Sequence, residues 1–143
     1  MNPRYQNIYR FPSVATRLRA GLALLSLAAL PALAATPAEL LAGYSAQAGA
    51  AASADRGQAL FTSTHGKDWS CATCHGAQPT RTGKHAATAK AIGPLAPAVN
   101  PERFTDPAKV EKWFRRNCQD VAARECSAAE KADLMAWLLT LRP

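Results

Sequence analysis

Cys71-Ala72-Thr73-Cys74-His75 is the stretch on which the reading of this chain turns. Two thiols three positions apart, with a histidine directly after the second, form the attachment signature of a c-type haem. Cysteines at i and i+3 lie on one side of a helical turn, so both sulfurs reach the two vinyl groups of one porphyrin. The next residue then aims its imidazole at the iron. A zinc half-site would want two further ligands at matched spacing, but Cys118 and Cys126 are eight apart with no histidine beside them. A thioredoxin-type pair belongs near a βαβ pattern, and none is visible.

Upstream of the motif, the first 34 residues read as an export signal. Arg4, Arg10, Arg17 and Arg19 precede an apolar run from Ala20 to Leu33, and Ala32-Leu33-Ala34 supplies small residues for a signal peptidase. The run is short for a bilayer span, so cleavage near Ala35 is expected rather than anchoring. Export fits the motif, because covalent haem attachment in Gram-negative bacteria follows translocation, and a periplasmic location is expected. The whole chain carries 17 basic and 10 acidic residues. With four basic residues in the leader, 13 against 10 remain, a balance of +3 that is no footprint of nucleic-acid binding. Residues 35–143 are the size of one modest domain, and a buried porphyrin would add apolar surface to its core.

Beyond the motif turn, four segments read as helices and none as a strand. Thr36-Pro37-Ala38-Glu39 is a capping box with proline at the first helical position, and Gly49 falls near the end of the helix it opens. A second helix is expected from Ser53 to about Ser63, with Gly57 and Phe61 on related faces. A third starts at Thr105 or Asp106, with Pro107 in its first turn. Ser127-Ala128-Ala129-Glu130 opens a fourth that runs to about Leu141, burying Leu134, Trp137, Leu138 and Leu141. This pattern resembles class I c-type cytochromes: an all-α fold in which terminal helices cross beside one haem. The resemblance places Gly57, Phe61 and Trp137 at the crossing; an ordinary amphipathic pair is the plainer alternative. In Gly93-Pro94-Leu95 it assigns the Pro94 carbonyl to the His75 imidazole, against a simple proline-stiffened connector.

The sixth ligand of the iron decides the function. Met135 lies inside the fourth helix and reads as core filler. His65 and His85 lie in polar stretches and read as solvated loop residues. On the third helix Val110, Trp113, Phe114 and Asn117 recur at i, i+3, i+4 and i+7, which puts a carboxamide on an apolar stripe. Its partner is either the backbone at a helix C-cap or the iron.

A more specific likeness bears on that choice. Pro101-Glu102-Arg103-Phe104-Thr105-Asp106, Lys109 to Trp113 and Arg116-Asn117-Cys118 resemble the sphaeroides haem protein family. So do Leu41-Ala42-Gly43-Tyr44, Cys71 to Gly76, Pro94 to Pro97 and Glu130 to Leu134, and the likeness runs from about Pro37 to the C-terminus. It implies one covalent haem c on Cys71 and Cys74, with His75 and Asn117 on the iron and Phe61, Pro94 and Trp113 lining the pocket. It also implies a disulfide between Cys118 and Cys126, which suits an oxidising compartment. Ala89 stands where the family pattern would have glycine. The implied function is electron transfer, with O₂, NO or CO binding once Asn117 is released on reduction. The implied redox partners are a dihaem cytochrome c and a membrane cytochrome b. An enzyme converting O₂ or NO, or a permanently six-coordinate shuttle, are the competing readings. No extra acid–base pair is evident for the first, and no loop methionine exists for the second. Lys109, Lys112 and Arg116 form a basic stripe, either solvated or steering an acidic partner.

Overall fold

The computed structural model describes residues 35–143, so the expected leader, 1–34, lies outside the described residues. The chain runs α1 (Pro37–Ala48), α2 (Ala54–Thr62), α3 (Cys71–His75), β1 (Gly83–Lys84), β2 (Ala91–Ile92), α4 (Pro107–Ala122) and α5 (Ala128–Thr140). Each long helix begins where a short polar side chain meets the orphan N–H groups of its first turn. Thr36 accepts from the Glu39 N–H while the Glu39 carboxylate accepts from the Thr36 N–H, and Ser127 with Glu130 repeats the device. Ser53 and Asp106 cap α2 and α4. Gly49 ends α1 in the left-handed conformation, at φ 61°.

The α2–α5 crossing is the dense part of the molecule. Phe61, Leu134, Trp137 and Leu138 form one buried cluster, and the Phe61 and Trp137 ring centroids stand 4.8 Å apart. Gly57 makes the approach possible: a Cβ there would overlap the Asp133 carbonyl and come within 2.9 Å of the Leu134 nitrogen. Beside it, the Asp133 carboxylate takes the Arg56 Nε–H at 2.7 Å and the Ser53 N–H at 2.6 Å, locking the start of α2 to α5. Its partners hold the carboxyl below the ordinary range despite burial that acts the other way. A second cluster, Tyr44, Val110, Ala132 and Met135, joins α1, α4 and α5. Met135 is fully buried there, as core filler.

The one departure from the helical expectation is small. Gly83–Lys84 and Ala91–Ile92 pair antiparallel, strands of two residues each and too short for any period to announce them. Gly83 is needed because a Cβ there would overlap the Cys74 carbonyl and stand 3.0 Å from the His75 Cα, so the pair lies directly on the motif turn. At its tip Ala89 takes φ 57°, left-handed backbone in which any Cβ is strained by roughly 1–2 kcal/mol. That conformation is the physical reason for a glycine at this position.

Candidate haem-binding site

The motif residues occupy one short helical turn, α3. The Ser70 N–H donates to Thr73 Oγ1 at 3.0 Å, starting the turn, and the Gly76 N–H closes it on the Ala72 carbonyl at 2.8 Å. Cys71 packs against the Phe61–Trp137 cluster, and burial pushes its thiol up to about 11. Cys74 Sγ accepts from the Ala86 N–H at 3.3 Å. Neither thiol is in a disulfide. The His75 ring stands 6.1 Å from the Phe61 ring, centroid to centroid. Burial, seconded by the Arg103 charge, pushes its imidazole down to about 4, so it stays neutral and fit to bind a metal.

The Pro94 carbonyl, expected to meet the His75 imidazole, has other donors from the loop behind the motif. The Pro94 carbonyl accepts from Asn100 Nδ2 at 3.0 Å and from Arg103 Nε at 2.8 Å. No hydrogen bond joins it to the His75 imidazole among the described residues. Arg103 is the residue that sequence reasoning passed over. Only its place in the run Pro101 to Asp106 hinted at it.

On α4 the predicted stripe divides. Val110 is buried and Phe114 packs against both core clusters, but Trp113 is 42% exposed and Asn117 is exposed as well. Seven residues of helix bring Asn117 back to within about 20° of Val110. It therefore lies on the core-facing side of α4 and yet is exposed. The C-cap alternative fails, because α4 continues through Ala122 and ends on Ala123 at φ 58°. Asn117 makes no side-chain hydrogen bond among the described residues, and Cys118, next in sequence, is buried and bonded to Cys126. The segment leading into the motif lies against this end of α4. Lys67 Nζ donates to the Gln119 carbonyl at 3.3 Å, and a cleft of about 410 Å³ is lined by Gly66, Lys67, Asp68, Trp69 and Asp120. Trp69, 37% exposed, is the other large apolar side chain left uncovered among the described residues.

The remaining histidines are held locally. His65 Nε2 bonds the Leu60 carbonyl at 2.7 Å, so this side chain is half-buried rather than solvated, and His85 Nδ1 accepts from the Thr88 N–H at 3.2 Å. Two thiols outside any disulfide, a neutral imidazole with no hydrogen-bond partner among the described residues, and Trp113 beside an exposed amide make a donor set and an apolar wall that fit a covalently held haem.

A helical domain folded around such a turn is a c-type cytochrome. Residues 47–138 match a family model described as a domain of unknown function (DUF1924). The chain is 58% identical over 107 residues to the cytochrome c-type protein SHP of Cereibacter sphaeroides, covering 72% of this chain and 82% of that one. It is 48% identical over 80 residues to cytochrome c'' of Methylophilus methylotrophus, 56% of each chain. Among solved structures, oxidised SHP, described as an oxygen-binding cytochrome c, superposes with a TM-score of 0.71 at 54% identity, over 76% of this chain and 99% of that one. Oxidised cytochrome c'' gives 0.68 at 38% identity, over 75% and 95%. The chain belongs to the sphaeroides haem protein family, which these comparisons join with cytochrome c''.

Proposed function

We propose that this chain is a periplasmic monohaem c-type cytochrome of electron transfer whose sixth ligand, Asn117, is released on reduction so that O₂, NO or CO can bind. Cys71 and Cys74 would hold the haem through thioether bonds, His75 would ligate its iron, and Phe61, Pro94 and Trp113 would line the pocket. When bound, the haem supplies one-electron chemistry and a coordination position open to a diatomic gas. The residues of the chain set the conditions for both. The Phe61–Trp137 cluster keeps the His75 side dry, which holds the imidazole neutral. Asn117 offers a carboxamide, a weaker donor than an imidazole or a thioether, that would suit ferric iron and would be given up as the metal's charge falls. The Cys118–Cys126 bridge restrains the backbone that presents this amide. Redox partners of the dihaem cytochrome c and membrane cytochrome b kind suit a carrier of this type.

The observation that carries the reading is Asn117: aligned with the buried face of α4, exposed, and without a hydrogen-bond partner among the described residues. Cyanide binding to the oxidised protein tests it. A bound amide must leave before cyanide enters, so Asn117→Ala should bind about tenfold faster or more than wild type, corresponding to roughly 1.4 kcal/mol of barrier or more. Equal rates would remove Asn117 from the iron.

A further inference from the structure

Arg103 is a partly buried guanidinium with an unusual set of partners. Its Nε donates to the Pro94 carbonyl at 2.8 Å and its Nη2 to the Gly93 carbonyl at 2.9 Å, so one side chain spans two successive peptide groups of the loop behind His75. All ten acidic residues of the chain lie within the described residues, and none forms an ion pair with Arg103. Cations removed from water are normally matched by a carboxylate; this one is matched by dipoles alone and keeps its full charge. The backbone is bent to place it. Phe104, the next residue, takes φ 61°, a left-handed conformation that a bulky side chain adopts only under compulsion. The bend sends the Phe104 ring into both core clusters while Arg103 turns back onto Gly93 and Pro94. Leu95, next along the gripped loop, packs in the same cluster as Phe61 and Cys71. The charge is thus held by packing on one side and by two carbonyls on the other. Gly93 follows Ile92, which pairs with Gly83, and a Cβ on Gly83 would stand 3.0 Å from the His75 Cα, so the gripped loop lies against the motif turn.

We propose that Arg103 is a positioning residue for the haem site, clamping the Gly93-Pro94 loop beside His75 and holding there a positive charge, matched by no carboxylate of the chain, that favours the reduced form. The inference rests on the haem reading above. A fixed cation near a metal opposes the extra positive charge of the ferric state, and a partly buried one is screened little by salt.

Potentiometric titration of the purified holoprotein tests this with three variants. Arg103→Gln removes the charge and should lower the reduced-to-oxidised ratio at a given poise by about tenfold. Arg103→Lys keeps the charge without the fork, so the ratio should stay within about twofold while the melting temperature falls. Asn100→Ala removes the other donor to Pro94 without altering charge, and should also leave the ratio within about twofold. An unchanged ratio in Arg103→Gln would overturn the proposal, as would equal drops in all three, which would assign the effect to loop shape. Should Arg103→Gln fail to accumulate, Arg103→Lys decides: a retained ratio supports the charge, and a tenfold drop contradicts it. A wild-type protein without covalent haem, by its pyridine haemochrome spectrum, would deny the haem reading itself; a loaded wild type whose ratio ignores Arg103→Gln would deny only this inference.

Discussion

Helices α4 and α5 are neighbours in the chain and similar in length, yet they are used in opposite ways. α5 buries Ala132, Asp133, Leu134, Met135, Trp137 and Leu138, and takes part in both core clusters. α4 buries only Val110 and Cys118, leaves Trp113 and Asn117 uncovered, and carries Lys109, Lys112 and Arg116 on its exposed face. Its attachments sit along its length rather than across a wide face. Glu111 accepts from Tyr44 Oη at 2.6 Å and from Lys131 Nζ at 2.7 Å, tying α4 to α1 and α5, and the disulfide fixes its far end. α5 is held by area and α4 at points, an arrangement that leaves a face of α4 free and suits the role proposed for Asn117.

The contrast predicts that damage to α4 changes the haem spectrum, whereas damage to α5 changes only stability. Breaking the disulfide, by reduction or by Cys118→Ser with Cys126→Ser, should have the largest effect. The closed loop is short, so about 2–3 kcal/mol of stability should go, seen in thermal melts. Because Cys118 follows Asn117 directly, the oxidised spectrum should shift at temperatures where the protein remains folded.

Gly57→Leu, at the α2–α5 crossing, should cost on the order of 1–3 kcal/mol by overpacking against the Asp133 backbone. Denaturant titration would show the loss, with the spectrum of the folded fraction unaltered. A neutral shift in the midpoint would mean that the crossing is looser than it stands here.

The smallest effect belongs to the cap of α5. A hydrogen bond from Arg124 is the main cause that holds the Glu130 carboxyl down to about 2, with the Ser127 N–H adding to it. A folded-state pKa below the unfolded one contributes stability above the ordinary value of 4.5 that is lost as pH falls from there toward about 2. Arg124 is half exposed, so screening limits the contribution to about 1 kcal/mol. Wild type should lose that much more stability than Glu130→Gln between neutral pH and pH 3, without a spectral difference at neutral pH.

These regions also differed in how far the sequence announced them. Thr36, Ser53, Asp106 and Ser127 were legible as caps because capping is a rule over three or four residues. Gly57 with Phe61 and Trp137 was legible once periodicity and family likeness met on the same face. The Pro94 carbonyl was not, because its donors come from Asn100 and Arg103, six and nine residues on, through an irregular loop that no periodic signal describes. His65 read as solvated because nothing in its surroundings reveals that its ring turns back to Leu60. The β1–β2 pair escaped notice as well, although Ala89 marked its tip as the place where the family pattern has glycine. Asn117 is the instructive case. Its spacing placed it on a stripe, but only the folded helix shows that the stripe is uncovered there and that the C-cap explanation fails.

The central claim is that Asn117 leaves the iron when an electron arrives. The most direct measurement is the optical spectrum of the dithionite-reduced holoprotein before and after CO. The account predicts a reduced form without a strong sixth ligand, and a CO adduct in wild type that matches that of Asn117→Ala. A reduced spectrum that stays low-spin and ignores CO would contradict it.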